Sequence, residues 1–281
     1  MQKLIYFFFL ISCSLMAQNP TPEDIVGSYR LPSNDPQGGQ SVIIFENNTF
    51  ATFYFGGALK GKWEIVGNEV KFKTEANPKF YLYGRKLAAL KDSTQLNFSC
   101  EENSTFVNLN SKANDIFQPL FNDAANCFSH PYTYKSTTQL RNVAFAKSDY
   151  GYGDLLDVYS FKIPEQYNDF IVIGLREEYT TETEFSASYK NGNLYFGGDK
   201  PASKKPDSVK ETEENLAYLN EFMNKELLSE ILNYGDEFFP YYDNPTKGQL
   251  TPFTRINPIN KKKSEVKKGD TNLFTAKCEE R

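Results

Sequence analysis

Apolar and polar residues alternate in short runs along most of this chain, and the dominant period is two. Glu69-Val70-Lys71-Phe72-Lys73 alternates strictly, as does Lys62-Trp63-Glu64-Ile65. That is the pattern of a strand with one face in water. Gly67-Asn68 lies between these runs, and a short link containing glycine between alternating runs predicts a hairpin. A second hairpin is predicted where Val42–Glu46 and Thr49–Phe55 flank Asn47-Asn48. With Val26–Leu31, Lys79–Gly84, Gln95–Cys100 and Thr105–Leu109, residues 25–110 hold about eight short strands, with turn signals about 8 to 12 residues apart as in a sandwich or barrel. Successive hairpins predict an antiparallel meander, which can close on itself and remove its exposed edges.

The pattern changes at residues 111–135, read as a connecting helix and loop. Ile116, Leu120, Phe121 and Ala124 are helically spaced within 114–128, and Pro131 forbids continuation. Residues 136–246 read as a second β unit, with strands at 140–146, 155–163, 169–176, 184–189 and 194–196. The unbroken run Phe170-Ile171-Val172-Ile173 marks a central strand covered on both faces, and Asn191-Gly192 marks a hairpin turn. After a linker over 199–207, Ser208-Val209-Lys210-Glu211 forms a capping box. Leu216, Leu219, Met223, Leu227 and Ile231 then share one helical face, and Gly235 is a natural stop, so one long packed helix is predicted over 209–234. Residues 247–281 read as a basic C-terminal tail, in which Lys261–Lys268 is a solvated charge run able to attract an anionic surface or partner. The fold class expected is mainly β with a minor α part (α+β): an N-terminal antiparallel, barrel-like meander and a second antiparallel β unit with one long helix. Tyr54-Phe55-Gly56-Gly57 is echoed by Tyr195-Phe196-Gly197-Gly198, too short a match to establish a repeat.

Gly27-Ser28-Tyr29 near the first strand resembles the Gly-x-Trp opening of lipocalins, with Tyr in place of Trp. Gly61-Lys62-Trp63, entering a strand after an Asn-Asn-Thr-Phe hairpin, is similar to the small lipocalin-like domains of exported bacterial proteins. The resemblance covers the N-terminal third of the chain. It implies a β-barrel that binds a small apolar ligand, with Tyr29 and Trp63 as candidate ligand-binding residues. The strands are shorter than those of a full lipocalin, and a small eight-stranded barrel can be filled by its own side chains.

Composition and the N-terminus add a location. Lys3, the apolar run Leu4–Leu10 and Ala17 form the three parts of a secretory signal over residues 1–17. The run is shorter than the roughly 20 residues that a membrane span requires, so no transmembrane span is expected. The expected location is the periplasm, cell envelope or extracellular space, in soluble form. Leu10-Ile11-Ser12-Cys13 also resembles a bacterial lipobox, which would anchor the chain through a lipid on Cys13. An aromatic content of 15% favours half-buried pleated surfaces, and a net charge of −5 argues against nucleic acid. Export leaves Cys100, Cys127 and Cys278, an odd number compatible with one disulfide or none.

The chemistry-bearing residues are sparse. His130 is the single histidine, so nucleophile–histidine catalysis would rest on one residue beside Pro131. No cysteine pair has metal-finger spacing, no phosphate-cradling glycine loop precedes a helix, and no cofactor is implied. Paired carboxylates could hydrolyse glycans, with Asp154 and Asp157, or Glu177, Glu178, Glu182 and Glu184, as candidates. Asp149-Tyr150-Gly151-Tyr152-Gly153-Asp154 could hold calcium, but an ordinary aromatic-rich turn fits it better; the same loop could display Tyr150 and Tyr152 as a stacking platform for sugar or peptide. The function expected is an exported, non-enzymatic protein that binds a small apolar ligand or a partner at the cell envelope. A structural envelope component and a carboxylate-based glycan hydrolase are the alternatives.

Overall fold

The computed structural model describes residues 19–32, 39–100, 105–109, 116–122, 132–147, 155–204, 218–219 and 221–275. The chain forms two compact units, one from Met1–Glu75 with Glu182–Met223, the other from Ala76–Thr181 with Asn224–Arg281. The first unit opens with β1 (Gly27–Arg30), β2 (Ser41–Ile44), β3 (Thr49–Tyr54), β4 (Gly57–Val66) and β5 (Glu69–Thr74). The second contains β6 (Phe80–Arg85), β7 (Thr94–Ser99), β8 (Thr105–Asn108), β9 (Ile116–Pro119), β10 (Tyr132–Ser136), β11 (Asn142–Lys147), β12 (Leu155–Lys162) and β13 (Asp169–Gly174). The chain returns to the first unit with β14 (Glu184–Lys190), β15 (Asn193–Tyr195) and β16 (Ser203–Lys204), then completes the second with β17 (Ile231–Leu232), β18 (Phe253–Ile256), β19 (Asn260–Glu265) and β20 (Lys267–Lys268).

The sheet of the first unit runs β15-β14-β5-β4-β3-β2-β1-β16, all antiparallel. Its strands are therefore in chain order around the sheet once β6–β13 are set aside. β16 pairs with β1, and the Ala202 N–H just before β16 donates to Leu194 O of β15 at 2.8 Å. The sheet thus curls until its two ends meet, as an up-and-down meander does. Gly61 permits part of this curvature, since a Cβ there would lie 2.0 Å from Lys73 O. Both predicted hairpins are present at β2–β3 and β4–β5, and Asn191-Gly192 turns with both φ angles positive.

In the second unit, one sheet runs β10-β7-β13-β6-β18-β17 and the other β19-β12-β11-β8-β9-β20. β19 and β20 stand at opposite edges of the latter, yet only Val266 separates them in the chain. One intervening residue spans only about 7 Å, so the sheet must roll until its edges meet at this segment. Phe106, Phe117, Leu156 and Val158 pack together with the small Ala144 and Ala146 and with Val266. Alternate residues of the same strands, among them Val107, Phe145, Tyr159 and Phe161, pack with Leu82, Phe98, Phe170 and Val172 of the other sheet.

Three expectations are corrected. Residues 116–119, predicted to lie in a helix, form β9, because pairing with β8 and β20 satisfies the backbone there. The long packed helix over 209–234 is absent: among the described residues no helix reaches seven residues, and the helical positions in that span are 218–219 and 221–224. Lys60 Nζ donates to the carbonyls of Phe222 and Met223 at 3.3 and 3.0 Å, satisfying the end of that turn. Beyond it, Arg255 donates to Leu228 O, the Arg255 N–H to Glu230 O, and Tyr83 OH to Ser229 O, while Ile231–Leu232 pair with β18. Carbonyls that a helix would use internally are thus taken by the sheet. The second unit is also not wholly antiparallel, since β7 runs parallel to β13 and β20 to β9. Lys261–Lys263 lie on β19 with exposed side chains, and Lys267–Lys268 form β20.

Arg85 and Asp169, cross-strand partners on β6 and β13, are 2% and 0% exposed and form an ion pair at 2.8 Å. Breaking a buried pair by removing one partner costs about 3–5 kcal/mol, whereas an apolar replacement of both is often neutral. Asp169→Ala is therefore expected to lower the urea-unfolding free energy by about 3–5 kcal/mol, and Arg85→Met with Asp169→Leu by far less. Equal losses in the single and double variants would contradict this assignment.

Candidate functional site

The interior of the first unit is occupied by its own side chains. Phe72 stacks on Phe185 at 4.8 Å between centroids and meets Phe50 edge-on at 5.1 Å, with Phe196 at 5.6 Å. Trp63 is 3% exposed, and its Nε1 donates to Phe45 O at 3.0 Å. Tyr29 is equally buried, and its OH donates to Ile25 O at 2.7 Å, tying β1 to the short helix Pro22–Ile25. Burial pushes the Tyr29 phenol up to about 12, with Tyr189 and Asp24 adding to the effect. Both candidate residues therefore sit among core side chains with their polar atoms committed to backbone carbonyls. Tyr150 and Tyr152 lie outside the described residues, as do His130 and the rest of the Asp149–Asp154 loop.

Among the described residues, four of the candidate carboxylates are taken up in ion pairs. Asp157 is bound by Lys79 at 2.6 Å in a nearly buried bridge, and Asp154 is outside the described residues. Lys73 takes both Glu182 and Glu184, at 2.7 and 3.3 Å, and Arg176 takes Glu178 at 2.9 Å. Among the described residues no three His, Cys, Asp or Glu side chains gather as a metal site, and no helix is long and apolar enough to cross a membrane.

A cleft does exist within the second unit. The parallel pair β7–β13 sets Ser99 opposite Ile173, which brings Cys100 beside Gly174. These strand ends form one side of a cavity of about 290 Å³. Leu175, Arg176 and Tyr179 follow directly, and Leu227, Leu228, Glu237 and Phe238 complete the lining. Gly174 is closely packed here, since a Cβ would lie 3.0 Å from Cys100 Sγ and 3.4 Å from the Phe80 ring. The helix Glu177–Thr180 is held by Asn77, whose backbone and side-chain amides both donate to Tyr179 O. The Arg176 guanidinium lies 5.4 Å over the Tyr179 ring. Leu175 and Leu228 belong to the apolar layer on the outer face of the β6–β13 sheet, with Tyr81, Ile173 and Phe253.

Sequence reasoning missed this cleft because its parts come from three segments. Neither the parallel pairing of β7 with β13 nor the non-helical course of residues 226–232 is signalled locally. Comparison with protein-family models, curated proteins and solved structures finds no match.

Cys100 carries a free thiol, 3% exposed and directed at Val172 O at 3.7 Å; Cys127 and Cys278 lie outside the described residues. Burial pushes this thiol up to about 12, against a smaller downward pull from Lys147. A thiol so raised is unreactive at neutral pH. Native Cys100 is expected to resist iodoacetamide at pH 8 and to react once unfolded, as read by peptide mass mapping. An acidic group with a raised folded pKa costs stability as pH rises above its unfolded value. Stability is therefore expected to fall from about pH 9 towards about 12, more in the native chain than in Cys100→Ala.

Proposed function

We propose that this is an exported, non-enzymatic binding protein of the cell envelope, and that its ligand site is the cleft of the second unit. The observation that carries this reading is the contrast between the two units. The first is filled by packed aromatics, whereas the second holds a cavity of about 290 Å³ with Leu175, Tyr179, Leu227, Leu228 and Phe238 as apolar walls. Small-molecule sites of roughly 300–1,000 Å³ combine apolar walls with a few polar groups, and this cleft lies just below that range. Arg176 and Glu237 supply the charged groups. The ligand class is a short acyl chain or single ring with one polar end.

The export signal and the lipocalin-like motifs support the envelope location. The up-and-down order of the eight strands in the first unit supports a lipocalin-like relationship for that unit, as a filled scaffold rather than a ligand barrel. The ion pairs on Asp157, Glu178, Glu182 and Glu184 count against the glycan-hydrolase alternative.

Leu227 is 38% exposed, so Leu227→Asp changes the cleft wall with an expected stability change under about 1 kcal/mol. Titration calorimetry with short-chain fatty acids and aromatic acids is expected to detect binding, and Leu227→Asp to weaken it by roughly tenfold or more. Native mass spectrometry of protein purified from its source should show a co-purifying small molecule. A tightly held protein partner, with no binding of either probe class, would overturn the reading in favour of an assembly role.

A further inference from the structure

A second cleft in the same unit has different chemistry. It lies where β6 ends and β13 begins, with a volume of about 330 Å³. Every lining side chain is polar: two lysines, Lys86 and Lys91; two acids, Asp92 and Glu165; and uncharged groups that include Gln139 and Asn168. Its frame is rigid. Asn168 is 3% exposed, accepts from the Leu87 N–H at 2.8 Å, and donates through Nδ2 to Leu87 O and Lys91 O at 3.2 and 3.1 Å. The neighbouring residues in sequence, Asp169 and Arg85, are the buried ion pair.

Two independent features point to a ligand. Lys91 has φ 50° and ψ −114°, and the Ser93 N–H donates to Leu90 O at 2.9 Å. These are the dihedrals of the first central position of a type II′ turn, a position dominated by glycine, asparagine and aspartate. The other non-glycine residues with positive φ are Asn48 and Asn191, which tolerate it; a lysine held there is strained. The strain places a lysine on the rim of a polar cleft, where a glycine would complete the turn at less cost. The second feature is charge. Lys86, Lys91, Asp92 and Glu165, all exposed, line one cleft; Lys86 Nζ donates to Lys91 O at 3.5 Å, and none of the four makes an ion pair among the described residues. Charges of both signs around one cleft are complementary to a molecule that carries both.

We propose that this cleft binds a small zwitterion, its anionic end at Lys86 and Lys91 and its ammonium at Asp92 and Glu165. The shared chemistry is that of an amino acid or short peptide and of an ethanolamine phosphate headgroup. Titration calorimetry of the full chain with glycylglycine and O-phosphoethanolamine tests it, with N-acetylglycine and ethylamine as singly charged controls. At least one zwitterion is expected to bind tenfold or more tightly than either control. Preference for the dipeptide marks a peptide source, and preference for O-phosphoethanolamine a headgroup source. Lys91→Gly is expected to raise the thermal midpoint by roughly 2 to 4 °C while weakening zwitterion binding at least tenfold. Lys91→Arg should retain binding within a few-fold. Absence of zwitterion binding, equal binding of a singly charged control, or undiminished binding by Lys91→Gly would each overturn the proposal.

Discussion

The buried ion pair between Arg85 and Asp169 organises the second unit. Its guanidinium donates to Gln249 O and Thr251 O, both at 2.7 Å, and to Tyr242 OH at 2.9 Å, while lying 3.9 Å over the Phe253 ring. Asp169 accepts further bonds from Gln95 and Asn97, both at 3.3 Å. One pair thus ties β6 and β13 to β7 and to the segment that leads into β18. Burial raises the Asp169 carboxyl above its ordinary range, and Arg85 is the largest influence pulling it back. Desolvation of both charges offsets much of the attraction in a buried pair of this kind. Its value lies in register, since any slip of β6 past β13 would strand a charge in an apolar layer.

Curvature decides where a ligand can be held. In the first unit the curled eight-stranded sheet is short, and Phe50, Trp63, Phe72 and Phe185 fill the space that it encloses. In the second, the roll that closes at Val266 is lined partly by Ala144 and Ala146, so its interior is small and packed. The apolar cleft instead arises at the ends of β7 and β13, where Gly174 carries no side chain and residues 226–238 cover the sheet incompletely. The polar cleft lies where β6 ends and β13 begins, and Asn168 fixes its turn.

Local pattern made much of this fold legible. The hairpins at 42–55 and 62–73 and the turn at Asn191-Gly192 follow from period-two alternation and turn chemistry, which act within a dozen residues. The central strand was equally plain, because Phe170–Ile173 has no polar face to expose. What stayed hidden was set by distant partners. Nothing in residues 25–110 signals that β6 leaves the meander and that β14, more than a hundred residues later, pairs with β5. The apolar spacing from Leu216 to Ile231 fits a helix, but Arg255 and Tyr83 claim the carbonyls at 228–230. Ile116, Leu120 and Phe121 fit a helical spacing too, but residues 116–119 pair with β8 and β20 as a strand. Tyr29 and Trp63 were read as candidate ligand-binding residues; in the structure their O–H and N–H groups donate to backbone carbonyls of the first unit.

The central claim is that the first unit is a filled scaffold and that apolar ligand is held in the cleft of the second. The most direct measurement is photolabelling of the intact protein with a diazirine-bearing short-chain fatty acid, with the labelled residues mapped by peptide mass spectrometry. The account predicts label on residues 174–179 and 227–238. Label on the strands around Trp63, with none on those two segments, would contradict it.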